Sequence, residues 1–298
     1  MIMEPKRIPA LRWNLRRLFA VKWGVMVSSL ALMLAMQSEG QMCPCCSFNE
    51  FAKEPEFMAM HPLKEPTGWT NALGEMTDYK TASGKETSGF WVPPTKGSTA
   101  SIVMIHEFWG LNDHIKETAE WLNKETGYGV LAVDMYEGKV AKESAMARKY
   151  MSEVKQAHGD DVVAGAVQAL RDGSLAKSKF IGTVGFCFGG GWSHRTAIAG
   201  GDDVDACAIY YGMPSMDQAE LKAMTAPVLM VWPNKDQWIN KSVVDNFKTA
   251  MSKAGRSLQV LEYDANHAFA NPSNARYNKT AADDAWAKTI AFFKKNFR

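Results

Sequence analysis

The sequence predicts an α/β fold, a mostly parallel central sheet with helices on both faces. Three observations predict it. From about residue 68 onward, apolar runs of strand length alternate with segments of helical spacing. Those runs are continuously apolar rather than alternating, as strands covered on both faces should be. The polar residues able to carry chemistry fall just after the runs, at the strand ends where ligands gather in such sheets.

Taken in order, Gly89–Val92 reads as a short strand stopped by Pro93 and Pro94, and Ser101–Ile105 as a fully apolar one. His114–Thr126 has helical spacing, with Ile115, Ala119 and Leu122 on one side. Val130–Val133 is the next strand, followed by helices over Ala141–Met151 and Asp160–Arg171, the latter stopped by Asp172-Gly173. Phe180–Val184 is a strand with a helix beginning after Gly189. Ala206–Tyr210 and Val228–Trp232 add two strands, and helix Lys241–Ala254, strand Leu258–Tyr263 and helix Lys279–Lys295 close the chain.

The chain has 298 residues, 46% hydrophobic and 22% charged, with a formal net charge of +2. No basic stripe suggests nucleic acid, and no phosphate-cradling glycine motif suggests a nucleotide. One enzyme-sized domain is expected over 68–298. Before it, Arg12, Arg16, Arg17 and Lys22 precede an apolar stretch from Gly24 to Met36, then Ser38, Glu39 and Gly40. That is the order of a secretory signal, so 1–40 is read as a signal peptide and the protein as exported, to a bacterial periplasm. An uncleaved membrane anchor and a cytoplasmic chain are the alternatives. Residues 41–67 carry Pro44, Pro55, Pro62 and Pro66 without a period of 2 or 3.6, and read as a linker or extended arm. Cys43, Cys45 and Cys46 lie in it as a surface thiol cluster, with soft-metal binding as the alternative.

The sharpest chemical signal is Gly185-Phe186-Cys187-Phe188-Gly189, between an apolar strand and a helix. This is the nucleophile-elbow pattern with Cys in place of Ser. The turn holds the thiol above the sheet beside a helix N-terminus, which favours the thiolate. A buried structural cysteine at a glycine-rich turn is the competing reading. A thiol nucleophile needs a base and a group to orient it. Asp236 and His267 each follow a strand, in the order acid then histidine that α/β-hydrolases use. His267 would take the thiol proton and Asp236 would fix its tautomer. The loop His106-Glu107-Phe108-Trp109-Gly110-Leu111 would supply one oxyanion amide, from Phe108, and Phe188 the other. Glu107 is the odd member, because a carboxylate there opposes the developing charge.

These residues together resemble the dienelactone hydrolase family of the α/β-hydrolase fold, over about Gly68 to the C-terminus. The carriers are the Cys187 pentad with Gly190, the His106–Leu111 loop, Trp232-Pro233-Asn234-Lys235-Asp236, Asn266-His267-Ala268-Phe269, and the tail from Tyr277 through Trp286 to Phe293. The resemblance implies that Glu107 interacts with the resting thiol of Cys187 and takes part in its activation when substrate binds. It also implies an arginine four residues after the histidine, to hold a substrate carboxylate; this chain has Asn271 there. Arg148 and Arg276 are candidate substitutes, and Trp109, Trp192, Trp238 and Tyr211 candidate pocket walls. Cys207 reads as core; His114, His158 and His194 read as helix-surface or cap residues.

The expectation is a monomeric hydrolase of small esters or lactones working through a thioacyl-enzyme. It needs no cofactor and no nucleic acid, and meets a membrane only if its head is uncleaved. The alternatives are an exported thiol- or metal-handling protein acting through Cys43, Cys45 and Cys46, and a hydrolase-fold binding protein without turnover.

Overall fold

A computed structural model of the chain describes residues 48, 50–59, 61, 69–70 and 73–298. Residues 1–40, read from the sequence as a signal peptide, and Cys43, Cys45 and Cys46 lie outside the described residues. Eight strands form one sheet: β1 (Glu75–Lys80), β2 (Glu86–Val92), β3 (Ala100–Ile105), β4 (Gly129–Val133), β5 (Phe180–Phe186), β6 (Ala206–Tyr210), β7 (Val228–Pro233) and β8 (Leu258–Tyr263). Their spatial order is β1-β2-β4-β3-β5-β6-β7-β8. β2 pairs antiparallel with both β1 and β4, and every pairing from β4 to β8 is parallel. Every residue of β3, β4, β6 and β7 is buried, so both faces of the central sheet are covered.

The helices are α1 (Pro55–Ala59), α2 (Asp113–Thr126), α3 (Ser144–Glu153), α4 (Gln156–Asp172), α5 (Phe188–Gly200), α6 (Gln218–Ala223), α7 (Lys241–Lys253) and α8 (Lys279–Asn296). Local chemistry sets their ends. Asn112 caps α2 by accepting from the Ile115 N–H, and Gly127 ends it at φ 73°. Asn240 caps α7 and Asn278 caps α8 in the same way.

Three elements escape the sequence pattern. β1 is a polar edge strand, Glu-Met-Thr-Asp-Tyr-Lys, with only Tyr79 buried, so no apolar run marks it. α6 and α1 are too short for a period of 3.6 to register. The second omission corrects the reading of 41–67 as a linker. Within that stretch Pro55–Ala59 is helical, and Phe48, Ala52, Phe57 and His61 are buried in the core. Burying each phenylalanine contributes roughly 2–3 kcal/mol, but the partners lie far along the chain and leave no local trace. Phe57 stacks edge-on to Trp238 with ring centres 5.0 Å apart, and Glu54 accepts a hydrogen bond from the Trp238 indole at 3.0 Å.

Candidate active site

The sheet delivers five chemistry-bearing segments to one end. His106 and Glu107 follow β3, Cys187 follows β5, Tyr211 follows β6, Asp236 lies beyond β7, and His267 lies beyond β8.

At the turn between β5 and α5, Cys187 has φ 55° and ψ −118°, a conformation that costs an L-residue of order 1–3 kcal/mol. It survives because the surroundings fix it from both sides. The Cys187 N–H donates to the Tyr210 carbonyl at 3.0 Å, and the Cys187 carbonyl accepts from the Gly190 N–H at 3.0 Å. The flanking glycines are required by space. A Cβ on Gly189 would lie 2.4 Å from both the His106 and Ile105 carbonyl oxygens, and one on Gly185 2.0 Å from the Gly189 oxygen. Gly189→Ala is therefore expected to destabilise the fold by about 3 kcal/mol, since rigid backbone has to move; urea unfolding measures it. A loss under 1 kcal/mol would show that the turn tolerates more than this geometry allows.

His267 and Asp236 meet beneath the thiol. Nδ1–H of His267 donates to Asp236 Oδ2 at 2.6 Å, with both side chains buried. The other carboxylate oxygen, Oδ1, accepts from the backbone N–H groups of Trp238 and Ile239 at 3.0 Å each. The ligand atoms of His267 and Cys187 lie within 4.8 Å of each other. Burial works against a charged His267, but the Asp236 carboxylate and the neighbouring thiolate hold its pKa well above the usual histidine value. Burial pushes the Cys187 thiol up, while the charge and hydrogen bond of His267 and the Phe188 backbone N–H pull it down. The Phe188 amide thus points at the sulfur from the first position of α5. Phe108 is fully buried on the loop after β3, where its carbonyl accepts from the Tyr136 hydroxyl at 3.2 Å.

Glu107 is held from two directions. Tyr211 donates its hydroxyl to Oε1 at 3.2 Å, and Asn271 donates its amide to Oε2. Burial raises the Glu107 pKa, while the Asn271 and Tyr211 hydrogen bonds and the charge of His267 restrain the rise. Asn271, which stands where the family pattern has arginine, is thus occupied with Glu107. His106 locks the loop itself: Nδ1–H donates to the Glu107 carbonyl at 2.7 Å, and Nε2 accepts the Met135 N–H at 3.1 Å. Burial lowers the His106 pKa, consistent with that neutral tautomer. Its positioning part was missed in the sequence, because its partner sits beyond β4.

The resting thiol meets an unexpected group. His61, from the segment carrying α1, places Nε2 3.6 Å from Cys187 Sγ. Its other nitrogen donates to the Phe57 carbonyl at 2.7 Å. Burial lowers the His61 pKa to about 3, with the nearby His267 adding to the effect, so the ring is neutral at physiological pH. No sequence motif marks this histidine; its nearest signal is the Phe48, Phe51 and Phe57 cluster just before it.

Arg148 and Arg276 are exposed, and neither lines the cavity beside Glu107. Trp109 is buried against Phe108, and Trp238 packs against the His267 ring. Trp192 is instead a core residue, seated where a Cβ on Gly159 would meet its ring at 2.0 Å. His194 is fully buried and its Nδ1 accepts the Ser215 N–H, so the surface reading is corrected; His158 pairs with Glu137 at 3.4 Å. His114 borders the cavity, and Cys207 is a fully buried core residue of β6.

The sequence profile of the dienelactone hydrolase family matches residues 88–297. The chain belongs to that family. It is 30% identical over 231 residues to Protein usf of Aquifex pyrophilus, covering 75% of this chain and 99% of that one. It is 23% identical over 229 residues to carboxymethylenebutenolidase 1 of Cupriavidus pinatubonensis, covering 73% and 95%. Among solved structures it resembles a dienelactone hydrolase-like promiscuous phosphotriesterase from metagenomic libraries, at a TM-score of 0.64 and 22% identity over 75% of this chain and 98% of that one. An esterase of Pyrococcus furiosus gives 0.58 and 17% identity over 80% and 100%. These two likenesses speak to the fold, and they agree with the mostly parallel sheet. As a dienelactone hydrolase-like hydrolase, the protein acts on a small molecule. The family profile begins its match at residue 88, within β2, so the segment that brings His61 to Cys187 stands outside it.

Proposed function

We infer that the protein is a carboxylic ester hydrolase in which Cys187 is the nucleophile, His267 the base and Asp236 the group that orients it. One observation carries this reading: the 2.6 Å His267–Asp236 hydrogen bond, set beside a cysteine held at positive φ on a strand-to-helix turn. Cys187 attacks the acyl carbon as its proton passes to His267. The carbonyl electrons move to the oxygen, which the Phe108 and Phe188 N–H groups would hold. On collapse of this intermediate, His267 returns the proton to the leaving alcohol. Water, deprotonated by His267, then cleaves the thioacyl-enzyme and restores the thiol. Asp236 stays ionised and fixes the imidazole throughout.

Charge in the cavity narrows the substrate. A cavity of about 480 Å³ lies beside Glu107 and Tyr211, bordered by Glu117, Asp283, Trp121 and Trp286; Cys187 and His267 are not in its lining, so a substrate held there would reach the thiol past Glu107. No Lys or Arg is among the described residues lining it, and Asn271 offers no bidentate clamp for a carboxylate. Neutral or cationic esters fit this lining better than an acidic lactone. The test is a panel of matched esters differing only in acyl charge, together with a dienelactone. Neutral and cationic members are expected to exceed the anionic one by about 10-fold or more in kcat/KM, because the cavity lining holds no Lys or Arg to offset the desolvation of a carboxylate. A preference for the anionic ester would remove this substrate class. The charge pattern of residues 1–40 supports export, which signal-processing analysis in a bacterial host tests.

A further inference from the structure

We propose that His61, Cys187 and His267 form a site for a divalent cation of the zinc class, with His61 supplying the ligand that the family's own nucleophile and base lack. Among the described residues, these three make up the one group of His, Cys, Asp or Glu side chains whose ligand atoms converge, all within 4.8 Å of one another.

Four features favour a metal over coincidence. First, both histidines have their Nδ1–H engaged, His61 on the Phe57 carbonyl and His267 on Asp236 Oδ2, which turns each Nε2 toward Cys187. That outer bonding to a carbonyl or carboxylate is the arrangement that orients metal-ligating histidines. Second, Nε2 of His267 is buried and has no nitrogen or oxygen partner. Third, zinc bonds of roughly 2.3 Å to sulfur and 2.0–2.1 Å to nitrogen, at a tetrahedral angle, put the two ligand atoms about 3.5 Å apart. The His61 Nε2–Cys187 Sγ separation is 3.6 Å. Fourth, the charges balance for a dication. With both imidazoles neutral, the Cys187 thiolate and the Asp236 carboxylate carry two negative charges in a site where His61, Cys187 and His267 are only 1–3% exposed. Thiolate with imidazole suits zinc among divalent ions.

Binding expels to solvent the one proton that the Cys187 sulfur and the His267 Nε2 share between them, and forms a sulfur–metal bond and two nitrogen–metal bonds. The nucleophile's lone pair and the base's Nε2 are then both committed. The loaded enzyme is closed, and the Phe48–His61 segment is pinned over the thiol. Metal binding itself does not depend on the hydrolase reading; the shut-off does. The experiment separates them.

Full-length protein, stripped with chelator, is dialysed against micromolar Zn2+, and bound metal is counted by plasma mass spectrometry. One zinc per chain is expected in the wild type and in the Cys43, Cys45, Cys46 triple serine variant. His61→Ala and His61→Gln are expected to weaken binding by at least about 100-fold, the upper end of what loss of even an outer partner costs. Zinc should also raise the wild-type melting temperature and not theirs, because a ligand held only by the folded state stabilises it. Esterase inhibition, normalised to each variant's own metal-free rate, should need at least about 100-fold more zinc in both His61 variants. Undiminished zinc binding in both His61 variants overturns the site, as does loss of the zinc only in the triple serine variant. Stoichiometric, His61-dependent binding in a chain with no turnover would uphold the site and count against the hydrolase reading alone.

Discussion

Cys187→Ala is expected to reduce kcat/KM for any ester the wild type hydrolyses by at least about 10,000-fold, with the fold retained. Loss of a nucleophile that forms the covalent intermediate removes the whole acylation route, and what remains is the catalysis that binding and oxyanion amides give to water. Alanine keeps the Cβ and therefore the same φ of 55° at the turn, so the hydrogen bonds to Tyr210 and Gly190 persist. Steady-state rates with a neutral p-nitrophenyl ester, alongside circular dichroism and a melting curve, check it. Mass spectrometry of wild type quenched during turnover should show an acyl adduct on the peptide containing Cys187. Equal rates in the two proteins would remove Cys187 from the mechanism.

Asp236→Asn is expected to lower kcat by about 10,000-fold while leaving KM within a few-fold, because this side chain is buried and engaged with His267. The carboxylate does two things here. Oδ2 fixes the imidazole with Nδ1–H toward it, and Oδ1 is itself held by the Trp238 and Ile239 amides, so the residue cannot turn away. An asparagine held by the same two amides keeps its oxygen on them and turns its NH2 toward His267. That favours the tautomer whose Nε2 carries a proton, which cannot accept one from sulfur. The substitution also removes the largest influence holding His267 above its usual pKa, leaving only the Cys187 thiolate and its hydrogen bond to oppose burial. Protonation of His267, followed by imidazole NMR, should therefore move to lower pH. A value that stayed in place would mean the thiolate, and not Asp236, holds the proton on this ring.

The sheet was legible because its central strands are buried on both faces and so are written as unbroken apolar runs, Ser101–Ile105 and Val228–Trp232 among them. β1 was not, because an edge strand facing solvent needs no such run. Cys187, Asp236 and His267 were legible for a different reason. Each sits where a strand ends, and the glycines around Cys187 record a backbone approach that no side chain would permit. Glu107 was visible as a residue but not in its bonding. Its partners, Tyr211 and Asn271, lie 104 and 164 positions away.

The sequence by itself determined the alternation of strands and helices, the strand-to-helix turn that carries Cys187, and the order in which Cys187, Asp236 and His267 follow their strands. All three are properties of neighbouring residues, set by backbone sterics and burial within a few positions. Only the tertiary structure decided that Asn271 is engaged with Glu107, that Arg148 and Arg276 stand outside the cavity lining, and that His61 reaches Cys187 across 126 positions. Such contacts arise where apolar surface, here Phe48 and Phe57, packs a distant segment against the core. The hydrophobic effect that drives this is non-directional, so it leaves no local pattern in the chain to read.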